Sequence, residues 1–320
     1  YRKLREVWKG INPDLAYKIG RAFANHINAK KVVIGYDIRK SSLEISEALI
    51  KGLTDAGADV VNIGLCGTEM IYFSTPFLNA DGGIMITASH NPPEYNGMKF
   101  VKKDSVPVGY DSGLNVVEEM ILKNDLAEIS SKKGTVEKFD VMEAFINNLS
   151  KFYDPKKIKQ FKVVVNAGNG CVGLSLNAIE SRLPIKMIKI FNEPDSDFPY
   201  GVPNPLLTEN RKPTIDAIIQ SNANLGVAWD GDYDRCFFFD ENGSFIEGYY
   251  IVGLLAKSIL KKHPGEKIVH DPRLVWNTLD VVERSNGIAV QSKSGHAFIK
   301  QKMREVNSIY GGEMSAHHYF

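Results

Sequence analysis

The sequence predicts an α/β protein of three similar units, each a mixed, mostly parallel sheet covered by helices, set around a central cleft. Three observations carry this. Short apolar, often β-branched runs alternate with helix-length segments, the pattern that parallel strands with crossover helices require. The alternation recurs at about one hundred residues without a strict repeat. The polar motifs come just after apolar runs, and in α/β sheets ligands bind beyond the carboxyl ends of strands.

The first unit, residues 1–140, opens with apolar residues at helical spacing (Leu15, Ile19, Phe23, Ile27), which predict a helix over 15–27. Residues 32–35 read as the first strand. Ser41-Ser42 offers an N-cap for a helix to about 56, closed by Gly57. Strand 60–63, a short helix 69–78 and strand 83–86 follow. Asn96-Gly97 reads as a tight turn into strand 98–101. Helix 115–123 and a charged connector, 123–138, end the unit.

The second unit, 141–245, repeats the grammar. It has helix 141–152, strand 162–166, a helix opened by Gly168-Asn169-Gly170 and running to about 183, and strand 185–190. A long loop rich in Pro, Asp and Asn, 192–207, leads to helix 214–221, strand 225–229 and strand 236–239, with Asn242-Gly243 as a hairpin turn. The third unit, 246–320, has helix 250–262, strand 267–270, helix 274–284, strand 289–291, helix 296–306 and an apolar Ile309-Tyr310 before Gly311-Gly312.

A length of 320 residues suits two or three domains. The net charge of +1 gives no global field toward nucleic acid or anionic lipid, so neither is expected as a partner. The three cysteines, Cys66, Cys171 and Cys236, are far apart and odd in number. That argues against a disulfide framework or a cysteine zinc site and suits a reducing, cytoplasmic setting. No apolar run approaches a membrane span, and Tyr1-Arg2-Lys3-Leu4-Arg5 lacks the apolar core of a signal peptide.

Three motifs carry chemistry. In Thr87-Ala88-Ser89-His90-Asn91-Pro92 a serine stands at the mouth of a strand where the chain turns. As a nucleophile Ser89 needs activation, unless it already carries phosphate. His90 reads as a loop-stabilising side chain, and Lys99 as a cation or proton donor. Asp230, Asp232 and Asp234 alternate along a segment read as extended. Three carboxylates so close repel one another unless a cation neutralises them, and Mg²⁺ suits because it leaves a position for a phosphate oxygen. An EF-hand is excluded: Arg235 stands where its glycine is required, and 237–239 read as strand. The Arg235 fork suits a phosphate or carboxylate. Finally, Glu313, Ser315 and His317 form a polar comb after a glycine pair, spaced to reach neighbouring hydroxyls of a sugar. His318 points the other way. His296 opens a helix, whose N-terminus lowers an imidazole pKa.

Together these motifs resemble the alpha-D-phosphohexomutase family, in order and over essentially the whole chain; the Gly311–Phe320 run looks most like bacterial phosphomannomutases or phosphomannomutase/phosphoglucomutases. The resemblance implies that Ser89 carries phosphate. It implies Mg²⁺ on Asp230, Asp232 and Asp234 with an oxygen of phosphorylated Ser89. Lys99, Arg235 and His296 then lie near the reacting groups, and Arg273 (in Asp271-Pro272-Arg273), Glu313, Ser315 and His317 face the sugar. The reaction implied is reversible exchange of mannose 6-phosphate and mannose 1-phosphate through a hexose 1,6-bisphosphate, which also serves as activator. Phosphoglucomutase, phosphoglucosamine mutase, and a metal-dependent phosphosugar hydrolase or binding module stay open as alternatives. The partner expected is a phosphosugar; the oligomeric state is left open. Two departures stand out. Tyr1-Arg2-Lys3 lacks the family's Tyr-Asp-x-Arg-Gly run, for which Arg39 is not a clean substitute. The family's fourth domain, with its phosphate loop, is expected to be absent from this chain, which should then bind Mg²⁺ and hold phosphate on Ser89 yet turn over poorly.

Overall fold

A computed structural model describes residues 11–126 and 128–320; Tyr1-Arg2-Lys3 lies outside them. The first unit runs α1 (Pro13–His26), β1 (Lys31–Tyr36), α2 (Ser42–Asp55), β2 (Asp59–Leu65), α3 (Thr68–Phe77), β3 (Gly82–Ile86), β4 (Met98–Lys102), β5 (Val106–Pro107), α4 (Leu114–Leu122) and β6 (Val136–Lys138). Helix α1 starts where Asn12 accepts from the Leu15 N–H at 2.9 Å, and Pro13 costs no hydrogen bond at the first helical position. The sheet order is β5-β4-β3-β1-β2-β6, with β6, β2, β1 and β3 parallel and β4 and β5 antiparallel.

The second unit runs α5 (Met142–Leu149), β7 (Lys162–Asn166), α6 (Val172–Ile179), β8 (Lys186–Ile190), α7 (Lys212–Ser221), β9 (Leu225–Trp229), β10 (Cys236–Phe239) and β11 (Phe245–Ile246), in the order β11-β10-β9-β7-β8. The third runs α8 (Gly248–Leu260), β12 (Lys267–His270), α9 (Trp276–Arg284), β13 (Ile288–Gln291), α10 (His296–Val306), β14 (Tyr310–Gly312) and β15 (His318–Tyr319), in the order β13-β12-β14-β15. Each sheet is parallel at its centre and antiparallel at one edge. Among the described residues no helix is long and apolar enough to cross a membrane. The three thiols are free.

The units meet in two different ways. The first and second share one apolar core, in which Ile71 and Met85 pack with Ile146, Val165 and Tyr233, and the rings of Phe73 and Phe145 lie 5.7 Å apart. The third unit has its own cores, around Val252, Ile268 and Tyr310 and around Val269, Ile299 and Tyr319. It reaches the first through polar groups of α10: the Lys300 ammonium lies 3.3 Å from the Tyr72 ring centroid, and Arg304 donates to the carbonyls of Asp104 and Ser105.

Several local expectations change. Ser41 makes no capping bond; the neighbouring Ser42 hydroxyl donates to Asp37 Oδ1 at 2.6 Å instead. The connector after α4 ends in a strand, because the exposed β6 adds its backbone to β2. Strands β3 and β4 pair, but through an open loop, 87–97. Neither Asn96 nor Gly97 takes the positive φ of a tight hairpin turn, and the Asn96 amide is spent on the hydroxyls of Ser41 and Ser42. The two helices expected to run to 152 and 183 stop earlier, each passing into a short 3₁₀ turn.

Candidate active site

Strand β3 delivers Ser89 into the loop that returns to β4. Ser89 is held in the left-handed region (φ +53), with its N–H donating to Thr87 Oγ1 at 2.8 Å. Its hydroxyl donates to Asp230 Oδ2 at 2.6 Å, and Arg235 Nη2 donates to the same hydroxyl at 3.0 Å. His90 Nδ1 lies 3.3 Å from Ser89 Oγ and also contacts the Arg235 guanidinium. Burial first, and the Arg235 charge second, push the His90 imidazole down to about 4. It is therefore neutral and supports the loop.

The aspartates follow β9, on a turn rather than the extended segment read from the sequence. The Tyr233 N–H donates to the Asp230 carbonyl at 3.1 Å, and Tyr233 takes φ +47. Packing is the reason. The Tyr233 ring lies where a side chain at Gly67 would stand, and its hydroxyl pairs with Ser175 at 3.2 Å. The turn brings a ligand oxygen of each of Asp230, Asp232 and Asp234 within 4.8 Å of the others. The first unit completes the loop: the Thr68 N–H donates to the Asp232 carbonyl at 3.1 Å, and its hydroxyl to Asp232 Oδ2 at 2.6 Å.

Two cations serve the trio. Arg235 donates to Asp230 Oδ2 through Nε (2.8 Å) and Nη2 (2.6 Å). Lys99, from β4, donates to Asp232 Oδ2 at 2.6 Å and Asp234 Oδ2 at 2.5 Å. Burial disfavours the Lys99 ammonium, but Asp232 and Asp234 outweigh it and hold the group well above its usual range. Burial would likewise raise Asp234; Lys99 first and His317 second hold it well below the usual carboxylate range. The three carboxylates outnumber the two full cations beside them, and Asp232 Oδ1 is buried without a partner. An all-oxygen, charge-deficient donor set of this kind fits a small hard divalent cation such as Mg²⁺.

The third unit supplies the remaining residues. Glu313, Ser315 and His317 do not form an extended comb. The Ala316 N–H donates to the Glu313 carbonyl at 3.0 Å, and Ala316 takes φ +69, so the segment is a turn between β14 and β15. The Glu313 carboxylate is buried, accepting from the Gly295 N–H at 2.7 Å and the Tyr319 hydroxyl at 2.8 Å, with Arg273 Nη2 at 3.7 Å. Arg273 also donates to Asp271 through Nε at 2.7 Å. Ser315 Oγ is 3.1 Å from His317 Nδ1. His317 Nε2 stands 3.3 Å from Asp234 Oδ1, joining this turn to the aspartate loop. His296 opens α10 after Gly295; burial, more than neighbouring charge, pushes it down to about 3, and its Nδ1 has no partner. His318 is structural, its Nδ1 2.8 Å from the Tyr310 hydroxyl.

The structure thus joins Ser89, Lys99, Arg235, the aspartates and His317 in one bonded group. Arg273, Glu313 and Ser315 form a second group tied to it by His317. Sequence reasoning missed Thr68, Lys300 and the role of Arg39, whose guanidinium holds the serine loop from beneath. Only the Asp37–Arg39 pairing stood close enough in the chain to hint at it.

The descriptions of phosphoglucomutase/phosphomannomutase alpha/beta/alpha domains I, II and III match residues 2–128, 143–243 and 247–320. A phosphomannomutase of Escherichia coli (strain K12) is 50% identical over 316 residues, covering 97% of this chain and 69% of the relative. A protein described as "Phosphohexose mutases" from Xanthomonas campestris pv. campestris (strain B100) is 50% identical over 310 residues, covering 97% and 69%. A crystal structure of a phosphoglucomutase/phosphomannomutase family protein from Burkholderia thailandensis matches with a TM-score of 0.90 at 30% identity, covering 98% of this chain and 69% of that one. Three domain matches in order, half-identical relatives and a common fold together make this chain a member of the phosphoglucomutase/phosphomannomutase family, the α-D-phosphohexomutases, whose enzymes are phosphohexose-mutating isomerases.

Proposed function

We propose that this enzyme interconverts mannose 6-phosphate and mannose 1-phosphate, with Ser89 as the phosphate carrier and a hexose 1,6-bisphosphate as intermediate and activator. The observation that carries the reading is the Ser89 hydroxyl bonded to both Asp230 and Arg235 across the junction of two units. The mannose preference rests on the half-identical phosphomannomutase. The units are taken to part near residues 140 and 245, and the free thiols fit a cytoplasmic setting.

Asp230, Asp232 and Asp234, with an oxygen of phosphorylated Ser89, would hold Mg²⁺. When bound, the ion draws charge from the transferring phosphoryl group. The chain's own groups do the rest. Arg235 stays on Ser89 Oγ and stabilises the negative charge that grows there as the Oγ–P bond breaks and a P–O bond forms to the sugar. Lys99, kept cationic, offers positive charge beside the aspartates. His317 is engaged with Asp234 and Ser315, whereas His296 is neutral with a free Nδ1. His296 is therefore placed near the reacting groups as a neutral imidazole whose Nδ1 can accept a hydrogen bond from a sugar hydroxyl. Arg273, Glu313, Ser315 and His317 hold the sugar, Glu313 chiefly by setting the shape of its turn. After the bisphosphate turns over, Ser89 recovers a phosphate from the other end.

The test is incubation with Mg²⁺, mannose 6-phosphate and a trace of glucose 1,6-bisphosphate, following mannose 1-phosphate, free phosphate and the mass of the intact protein. Mannose 1-phosphate with a phosphate on Ser89 is expected. Free phosphate as the main product would make the protein a hydrolase, and faster turnover of glucose or glucosamine phosphates would reassign the sugar.

A further inference from the structure

We infer that Arg39 is the positioning residue that sets the serine loop, and through it the place of the Ser89 hydroxyl. The inference rests on the reading of Ser89 as phosphate carrier. A guanidinium has five N–H groups, and all five of Arg39 are used. Nε donates to Asp37 Oδ2 at 3.2 Å. Nη1 donates to the carbonyls of Pro92 (2.5 Å) and Tyr95 (2.9 Å). Nη2 donates to the carbonyls of Ser89 (2.8 Å) and Asn91 (2.6 Å). Four of the five partners are therefore backbone carbonyls of the loop 87–97.

Backbone to backbone, that loop is bonded to itself only through Asn91 N–H to Ala88 O, Tyr95 N–H to Pro92 O, and Thr87 N–H to Gly97 O at its neck, with local side-chain bonds from Thr87, Asn91 and Asn96 besides. Carbonyls turned inward need donors, and one rigid plane supplies them. The bond to the Ser89 carbonyl acts on the reacting residue itself, which sits in a backbone region that non-glycine residues seldom adopt.

Arg39 is anchored on both sides. Asp37, just past β1, accepts from the Arg39 N–H at 3.1 Å and from the Ser42 hydroxyl at 2.6 Å, which ties the guanidinium to the sheet. The Phe198 ring of the second unit lies over it, 5.8 Å from centroid to guanidinium carbon, and the Arg39 side chain is fully buried. Asp195, in the same stretch as Phe198, donates its N–H to the Asn169 carbonyl at 2.9 Å. The second unit thus covers the residue that shapes the first unit's loop. A lysine has three donors on a tetrahedral centre and cannot serve four carbonyls and Asp37 at once.

The test compares wild type, Arg39→Lys and Phe198→Leu in the 320-residue chain with Mg²⁺. The measurements are mutase kinetics, phosphate loading from glucose 1,6-bisphosphate by intact mass, urea unfolding, and amide exchange across 87–97. Arg39→Lys should lower kcat and the loading rate by about 100-fold, the scale of an ångström's misplacement. KM should stay within about twofold, and exchange should quicken in the loop but not in β1 or β3. Phe198→Leu should move the same readouts less. A variant with a lower urea midpoint but wild-type kcat and loading would overturn the proposal, and so would lost activity with unchanged loop exchange. If the wild type takes no phosphate on Ser89, the carrier reading falls. Loop exchange in Arg39→Lys then still decides on Arg39: selective quickening supports the positioning role, and unchanged protection overturns it.

Discussion

The first and second units meet as halves of one apolar core, whereas the third meets them through charges, rings and single hydrogen bonds. The candidate active site lies across both junctions. The groups proposed to handle the phosphoryl group, Ser89, Lys99, Arg235 and the aspartates, straddle the apolar one. The shared core holds together the two units that carry them. The groups proposed to hold the sugar stand on the polar one, where Lys300, Arg304 and His317 carry the contact. The proposed phosphoryl-handling groups thus rest on shared apolar packing, and the proposed sugar-holding groups on polar contacts.

Four changes would break or sharpen this contrast. The largest effect is expected at the reacting hydroxyl. Ser89→Ala should abolish the phosphorylated form and lower mutase turnover by on the order of 10⁴-fold or more, leaving the fold intact. Near-normal turnover, with a matching intact mass, would remove the covalent step.

Next comes the shared core. Ile146 is fully buried between the first two units, and Ile146→Ala should cost about 2–5 kcal/mol in urea unfolding. If the two units then unfolded in separate transitions with the first unchanged, they would not form one core.

Acid should act on the third unit, as it should on His90 of the first. His296 and His318 ordinarily titrate at 6.5, and burial pushes them to about 3 and about 4. Below 6.5 the unfolded chain takes up protons that the native chain refuses. Stability from these two groups is therefore complete above pH 6.5 and declines as pH falls toward 4. His318→Gln should flatten that part of the curve of urea midpoint against pH, and equal slopes would show that the buried imidazole is not responsible.

The smallest effect is expected at the cation over the ring. Lys300→Met should change stability by under about 2 kcal/mol. It should raise KM for mannose 6-phosphate more than it lowers kcat, and should weaken the salt dependence of KM. A kcat loss matching that of Ser89→Ala would place Lys300 among the reacting groups instead.

Much of this was legible before any coordinates. The strands at 225–229, 236–239 and 267–270 agree residue for residue because apolar runs bounded by polar turns leave little choice, and the helix at 296–306 agrees because Ile299, Met303 and Val306 recur at helical spacing. Strand β6 was not legible: Val136-Glu137-Lys138 is exposed and is strand only because β2 offers free backbone groups. The aspartate turn was misread because alternating carboxylates look extended, and nothing local announces that Tyr233 will take a positive φ to fill the space above Gly67. Glu313 read as an outward-facing ligand, yet its partners are the Gly295 N–H and the Tyr319 hydroxyl, brought close by tertiary packing. The role of Arg39 was hidden for a similar reason, since its four carbonyls lie fifty or more positions along the chain.

The seat of Tyr233 against Gly67 has a consequence for how the protein is made. A chain leaving the ribosome folds its N-terminal part first. The residues of the socket, Gly67 and Thr68, are synthesised well before the aspartate loop. The loop takes its final shape only when the second unit docks and the tyrosine seats. The candidate metal site is in this sense a product of docking, since its turn is completed by groups of both units.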